Sequence, residues 1–158
     1  MVQMQGKVAV EYDDQAETLL ADAVTDSDLR TANTAIAVDT LIQSSHAYWD
    51  NGELPMGLFW VNVLVTDHTA SGGGDTCAFV LEGYTSSDFS SARTELGRVV
   101  LTDTSANDSI NGFYRFAVDA KTAEQLLANM THMALVNVLS DAGVEVSYSA
   151  WISFAKAS

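Results

Sequence analysis

Apolar and polar residues alternate most regularly near the end of the chain. In VEVSYSAWISF (144–154), Val144, Val146, Tyr148, Ala150, Ile152 and Phe154 share one parity, while Glu145, Ser147, Ser149, Trp151 and Ser153 share the other. A period of two predicts a half-buried strand with one face in a core. Tyr114, Phe116 and Val118 repeat the pattern in GFYRFAVD against Phe113, Arg115, Ala117 and Asp119, and Cys77, Phe79 and Leu81 do so in TCAFVLEGY. GLFWVNVLV (57–65) and MALVNVL (133–139) are apolar on both parities. Such runs suit central strands covered on both sides, or on one side by a neighbouring subunit.

KVAV (7–10), TAIAVDTLI (34–42) and GRVVL (97–101) are shorter candidates, parted from the others by turn clusters such as DNGELP, TASGGGD, SSDFSS, TSANDSING and SDAG. The total is about eight strands. In DAKTAEQLLANM (119–130), Thr122 and Gln125 fit a capping box and Leu126, Leu127 and Met130 an apolar side, which predicts one short helix. Residues 13–30 are acidic and ambiguous, with Leu19, Leu20 and Val24 as possible anchors. Together these features predict an all-β, jelly-roll-like antiparallel β-sandwich over residues 34–158, preceded by an extended N-terminal arm over residues 1–33. The strand order that separates a jelly roll from an immunoglobulin-like sandwich cannot be read from one sequence.

Composition narrows the function. The chain has 158 residues, 47% hydrophobic and 18% charged, enough for one globular domain. Its net charge is −14, from 7 Lys+Arg against 21 Asp+Glu. Lys7, Arg30, Arg93, Arg98, Arg115, Lys121 and Lys156 form no cluster, which argues against nucleic acid and against an anionic membrane surface as partners. A single cysteine excludes an internal disulfide and a cysteine-based zinc cage. No signal-peptide core and no run of about 20 apolar residues is present, so synthesis and folding in the cytoplasm are expected.

The stretch VTDHTASGGGDTCAFVLEGYTSSDFSS (65–91) collects residues that could carry chemistry. Its glycines are consecutive and no lysine follows, so neither a phosphate loop nor a dinucleotide fingerprint fits. The three glycines predict a flexible hairpin loop. Cys77 shares the core parity with Phe79 and Leu81, where a free thiol acts as a small hydrophobe. His46, His68 and His132 are far apart in sequence, and nothing local prepares a Cys/His dyad. Asp26–Asp28 and DTSAND (103–108) could attract calcium but match no EF-hand loop. No catalytic residue, metal or cofactor is assigned, and the chain is not expected to be an enzyme.

Trp151 is less bland. It lies on the polar parity of the last strand, and Phe113 shares this situation beside Arg115. Aromatic residues and arginine are enriched at protein interfaces.

The ordered layout resembles that of the jelly-roll capsid cement, or decoration, proteins of tailed bacteriophages. The likeness runs from about residue 34 onward: GLFWVNVLVT, ASGGGD, CAFVLEGYTSSDFSS, ELGRVVL, FYRFAVD and the pair HMALVNVLSD–GVEVSYSAWISF. Its most characteristic piece is the turn Ser87, Asp88, Phe89, Ser90, Ser91. The acidic segment before residue 34 departs from the family pattern. The resemblance implies a non-enzymatic virion protein on the capsid exterior, made in the host cytoplasm. It would bind the major capsid protein and itself, as a homotrimer, and clamp capsid subunits against the pressure of packaged DNA. Many copies acting together turn modest contacts into shell stability.

On this reading Phe59, Trp60, Phe113, Arg115 and Trp151 are candidate subunit-interface residues. Val8, Val10 and Tyr12 are candidate capsid contacts, able to add a strand to a neighbour. The alternative is a carbohydrate-binding β-sandwich, a lectin or receptor-binding module, stacking sugars on Trp49, Trp60 or Trp151.

Overall fold

The computed structural model describes residues 18–33, 36–37, 58–69, 72–86, 88–90, 93–103, 110–119 and 131–154. Among them are nine strands: β1 (Thr18–Asp26), β2 (Arg30–Ala32), β3 (Ile36–Ala37), β4 (Leu58–Thr69), β5 (Thr76–Tyr84), β6 (Arg93–Thr102), β7 (Gly112–Asp119), β8 (His132–Leu139) and β9 (Glu145–Phe154). They form two antiparallel sheets, one in the order β1-β9-β4-β7 and the other β2-β8-β5-β6, with β3 also paired to β8.

Within the sheets the pairs are nested. β5 pairs with β6, β4 with β7, β2 with β8 and β1 with β9, each pair enclosing the previous one in sequence. Contacts of β9 with β4 and of β8 with β5 join these pairs side by side. A long hairpin wrapped into two sheets in this way is a jelly roll.

The alternation places its residues as predicted. Val146, Tyr148, Ala150 and Ile152 of β9, Phe59, Val61, Val63 and Val65 of β4, and Phe116 and Val118 of β7 face the core from the first sheet. Cys77, Phe79, Leu81, Met133, Leu135 and Leu139 meet them from the second. At Gly97 of β6 the sheets approach closely: an added Cβ would stand 3.1 Å from both Phe116 and Val118. In β5 and β8 the opposite parity is buried as well, at Ala78, Val80, Ala134 and Val136. That is why β8 reads as apolar on both parities, while β5, which reads as a one-faced strand, has a second buried face at Ala78 and Val80.

A polar thread crosses this core. Tyr148 donates to Asp26 Oδ2 at 2.7 Å and accepts from Asn33 Nδ2 at 2.7 Å, and Asn33 also donates to the Leu135 carbonyl. Asp26 and Tyr148 belong to the first sheet, while Asn33 follows β2 and Leu135 lies in β8 of the second. The thread therefore ties the two sheets together. Burial raises the pKa of Asp26 and, more strongly, that of Tyr148.

Three sequence expectations change. The sequence predicts an arm over residues 1–33, but β1 and β2 are strands of the two sheets. Two register shifts within β1 spoil its alternation: Leu20 and Ala21, adjacent in sequence, both enter the core, and Ala23 has a φ of 47°. The glycine loop is not a hairpin turn, because β4 and β5 lie in different sheets and the loop crosses between them. Gly74, at a φ of 95°, does need glycine's freedom. Beyond Asp119, which ends β7, the expected helix falls outside the described residues, as do KVAV and most of TAIAVDTLI.

Candidate functional site

Among the described residues, the outward parity of the first sheet gathers the exposed Phe113 and the half-buried Trp60 and Trp151. Cross-strand register sets three rows over β7, β4 and β9: Ala117–Trp60–Ser153, Arg115–Asn62–Trp151 and Phe113–Leu64–Ser149. Phe113 is 55% exposed and Leu64 38%, while Trp60 and Trp151 are half-buried. Phe113 and Trp151 meet across β4 with ring centroids 5.9 Å apart and planes tilted by 36°. The Arg115 guanidinium lies 4.4 Å from the centre of the Trp60 ring, a cation–π contact.

Asn62, between Arg115 and Trp151 in its row, is only 4% exposed although it points outward. Its amide donates to the Ser153 hydroxyl at 2.8 Å and to the Trp151 carbonyl at 3.3 Å. Farther along β9, Ser149 accepts from the Ala23 amide and Ser147 shares a hydrogen bond with Thr25. The hydroxyls on this face are thus already engaged within the sheet. Among the described residues, what remains open at the centre of this face is apolar surface from Phe113, Leu64 and the two half-buried indoles, beside the Arg115 guanidinium.

Four of the five candidate interface residues come together here: Trp60, Phe113, Arg115 and Trp151. Phe59 does not. It sits on the opposite parity of β4, 2% exposed, and packs in the core. Reading 57–65 as doubly apolar hid this, since only the outward positions can meet a partner. Leu64 and Asn62 were missed, yet their parity with Trp60 was visible in the sequence. Val8, Val10, Tyr12, His46 and Trp49 lie outside the described residues.

The residues weighed for chemistry have structural settings. Asn137 donates to the Cys77 sulfur at 3.1 Å, and burial pushes the thiol up to about 12, so it stays neutral. His68 is turned inward by a register shift between Val65 and Asp67, and its Nδ1 lies 3.5 Å from Asp103 Oδ2. Both of these side chains are sealed from solvent. Asp26 is bound to Tyr148, and among the described residues no three His, Cys, Asp or Glu side chains converge as a metal site would require.

In the SSDFSS turn, Asp88 accepts from the Ser86 and Ser90 hydroxyls and the Ser90 amide, which hold its carboxyl down at about 2. Phe89, at a φ of 59°, packs edge-on against Tyr84. Tyr84 in turn hydrogen-bonds Glu82, which is paired with Arg30 at 2.6 Å. The motif is a turn clamp anchored to the second sheet.

No family model matches this chain, and a search of curated proteins finds no match. Among solved structures, it is similar to the CBM22-1–GH10 modules of Clostridium thermocellum xylanase 10B complexed with xylohexaose. That likeness has a TM-score of 0.40 and 8% identity, covering 65% of this chain and 17% of the other. It is also similar to the infectious bursal disease virus VP2 subviral particle, with a TM-score of 0.45 and 12% identity over 87% of this chain and 32% of that one. The tobacco streak virus coat protein matches with a TM-score of 0.31 and 14% identity over 90% of each chain. This chain spans well under half the length of the first two. At such low TM-scores the likenesses carry no functional weight.

Proposed function

We propose that this chain is a non-enzymatic structural protein of a virion, a cement or decoration protein that docks on the outside of a phage capsid. Its docking surface, on this proposal, is the outer face of the β1-β9-β4-β7 sheet, whose aromatic residues the sequence offers as a subunit interface rather than as a capsid contact. The observation that supports this is the Trp60–Arg115 and Phe113–Trp151 cluster, an aromatic and arginine patch on a stiff sheet. The charge of −14 suits a protein surface better than packaged nucleic acid. The capsid's major protein is the partner on this reading, and a homotrimer is the assembled form.

Carbohydrate binding is the second reading, favoured by the same exposed rings. Against it, the Trp60 face is occupied by Arg115, Trp151 leans on Phe113, and the nearby serine hydroxyls are engaged. Among the described residues a pyranose would find one largely open ring, that of Phe113.

Copy number in purified virions, by gel densitometry against the major capsid protein, tests the first reading. Hundreds of copies per particle are expected; absence from the particle overturns it. A glycan array with and without EDTA tests the second, and sugar selectivity lost in Phe113→Ala would favour it.

A further inference from the structure

The two edges of the first sheet are unlike. β1 is broken by two register shifts and a left-handed Ala23, devices that discourage another strand from pairing. β7 pairs with β4 residue for residue from Gly112 to Asp119, and among the described residues nothing pairs with its other side. It contains no proline and no bulge, so among the described residues it is a regular unpaired edge eight residues long. Its outward side chains are Phe113, Arg115, Ala117 and Asp119.

The chain holds a segment that complements this edge. In KVAVEY (7–12), Val8, Val10 and Tyr12 share one parity and Lys7, Ala9 and Glu11 the other. Lys7 and Glu11 are spaced as Arg115 and Asp119 are. We propose that residues 7–12 of a second copy add to β7 as an antiparallel strand, with Lys7 opposite Asp119, Ala9 opposite Ala117 and Glu11 opposite Arg115. In that register Val8, Val10 and Tyr12 fall beside Val118, Phe116 and Tyr114 and extend the core. Opposite charges directly across a strand pair stabilise it. The parallel register that aligns the same positions sets Lys7 against Arg115 and Glu11 against Asp119, like against like, and is disfavoured.

Reach selects the second copy over the same chain. The added strand and β1 would stand on opposite sides of the sheet, four strand spacings or about 19 Å apart. Tyr12 would be level with Tyr114 and Val63, and Thr18 is level with Ile152 and Val61, so the two points are about 20 Å apart. Six residues fully extended cover about 20–22 Å, and the straight line between the points runs through the sheet itself. A path over its side chains is longer than the segment. Exchange between copies has no such limit, and it needs only this chain, so it stands apart from the capsid reading.

The test is cross-linking of the full-length protein in solution. Directly opposed residues in an antiparallel pair have Cα atoms about 4.5–5.5 Å apart, within disulfide reach. Mild oxidation of Ala9→Cys/Ala117→Cys should therefore link different chains, while the off-register pair Gln5→Cys/Ala117→Cys links far less. Native Cys77 is buried and does not compete. Light scattering provides an independent reading: Glu11→Lys or Arg115→Glu alone should weaken self-association by about five- to tenfold, and the two together should restore it. Equal yields from both cysteine pairs, links confined within single chains, a monomer that links only when capsids are added, or a double exchange that fails to restore association would each overturn the proposal.

Discussion

Replacing Tyr148 with phenylalanine removes one oxygen from the middle of the sandwich and leaves the ring against Phe79, whose centroid is 4.7 Å away. Two hydrogen bonds go with it, the one given to Asp26 and the one received from Asn33. The Asn33 amide keeps its bond to the Leu135 carbonyl; the Asp26 oxygen loses this donor in a buried place. A neutral bond contributes about 0.5–1.5 kcal/mol and one to a charged group about 1.5–3, so the variant should lose about 2–4 kcal/mol near pH 7. For a domain of this size that lowers Tm by about 5–12 °C. The loss should depend on pH. Burial raises the pKa of Asp26 in the folded state, while the Tyr148 bond holds it back. Because the folded state keeps that proton more tightly than the unfolded chain, stability falls as pH rises from the ordinary carboxylate range through the raised value. Without the hydroxyl the folded pKa rises further and the fall is larger. Urea unfolding followed by tryptophan fluorescence should therefore show a deficit near pH 7 that shrinks as the pH is lowered through the raised Asp26 value toward the ordinary carboxylate range. A deficit below about 0.5 kcal/mol, or one indifferent to pH, would refute the coupling of this hydroxyl to the Asp26 charge.

Other outcomes follow from the packing and the surface. Gly97→Ala should destabilise by about 1–2 kcal/mol in chemical unfolding, because overpacking against Phe116 and Val118 outweighs the gain from stiffening the unfolded chain. Cys77 should resist thiol reagents until the protein unfolds, and labelling at the rate of a free thiol under native conditions would contradict its burial. Phe113→Ala should leave Tm nearly unchanged yet weaken docking. About half of a ring that buries 150–250 Å² is open, and covering about 100 Å² contributes about 2.5 kcal/mol, or about 70-fold in affinity. Titration of purified capsids with wild-type and variant protein measures that difference.

Much of the fold was legible where one face of a strand is core and the other is water. β7 and β9 show this, and their inward parities match the buried residues. β1 was illegible because its irregularities put Leu20 and Ala21 side by side into the core among acidic neighbours. His68 was illegible for a related reason: the register shift after Val65 reverses the parity that placed Val61 and Val63. The crossing of the glycine loop between sheets was hidden because turn residues report that the chain bends, not which strand it joins next. Within the candidate site, Trp151 and Phe113 could be picked out as aromatics on a polar parity. Their contact across β4 depends on register, which arises only when three strands align. Phe59 was misplaced because a run apolar on both parities does not reveal which half faces inward.

The nesting of strand pairs has a consequence for how the protein is made. Ala23 meets Ser149 126 residues farther along the chain, and the rest of β1 is bound to β9 in the same way. Synthesis proceeds at about 5–20 residues per second, so β1 leaves the ribosome many seconds before its partner exists. During that interval the β5–β6 hairpin can close, β7 can reach β4, and β8 can reach β5, but the first sheet lacks its second strand and Leu20 and Ala21 have no finished core to enter. Contacts this distant also make for slow closure. The same register shifts that leave β1 a poor template for a stranger's strand thus guard it during the wait, until β9, the last of the described strands to be made, joins it to β4 and completes the first sheet.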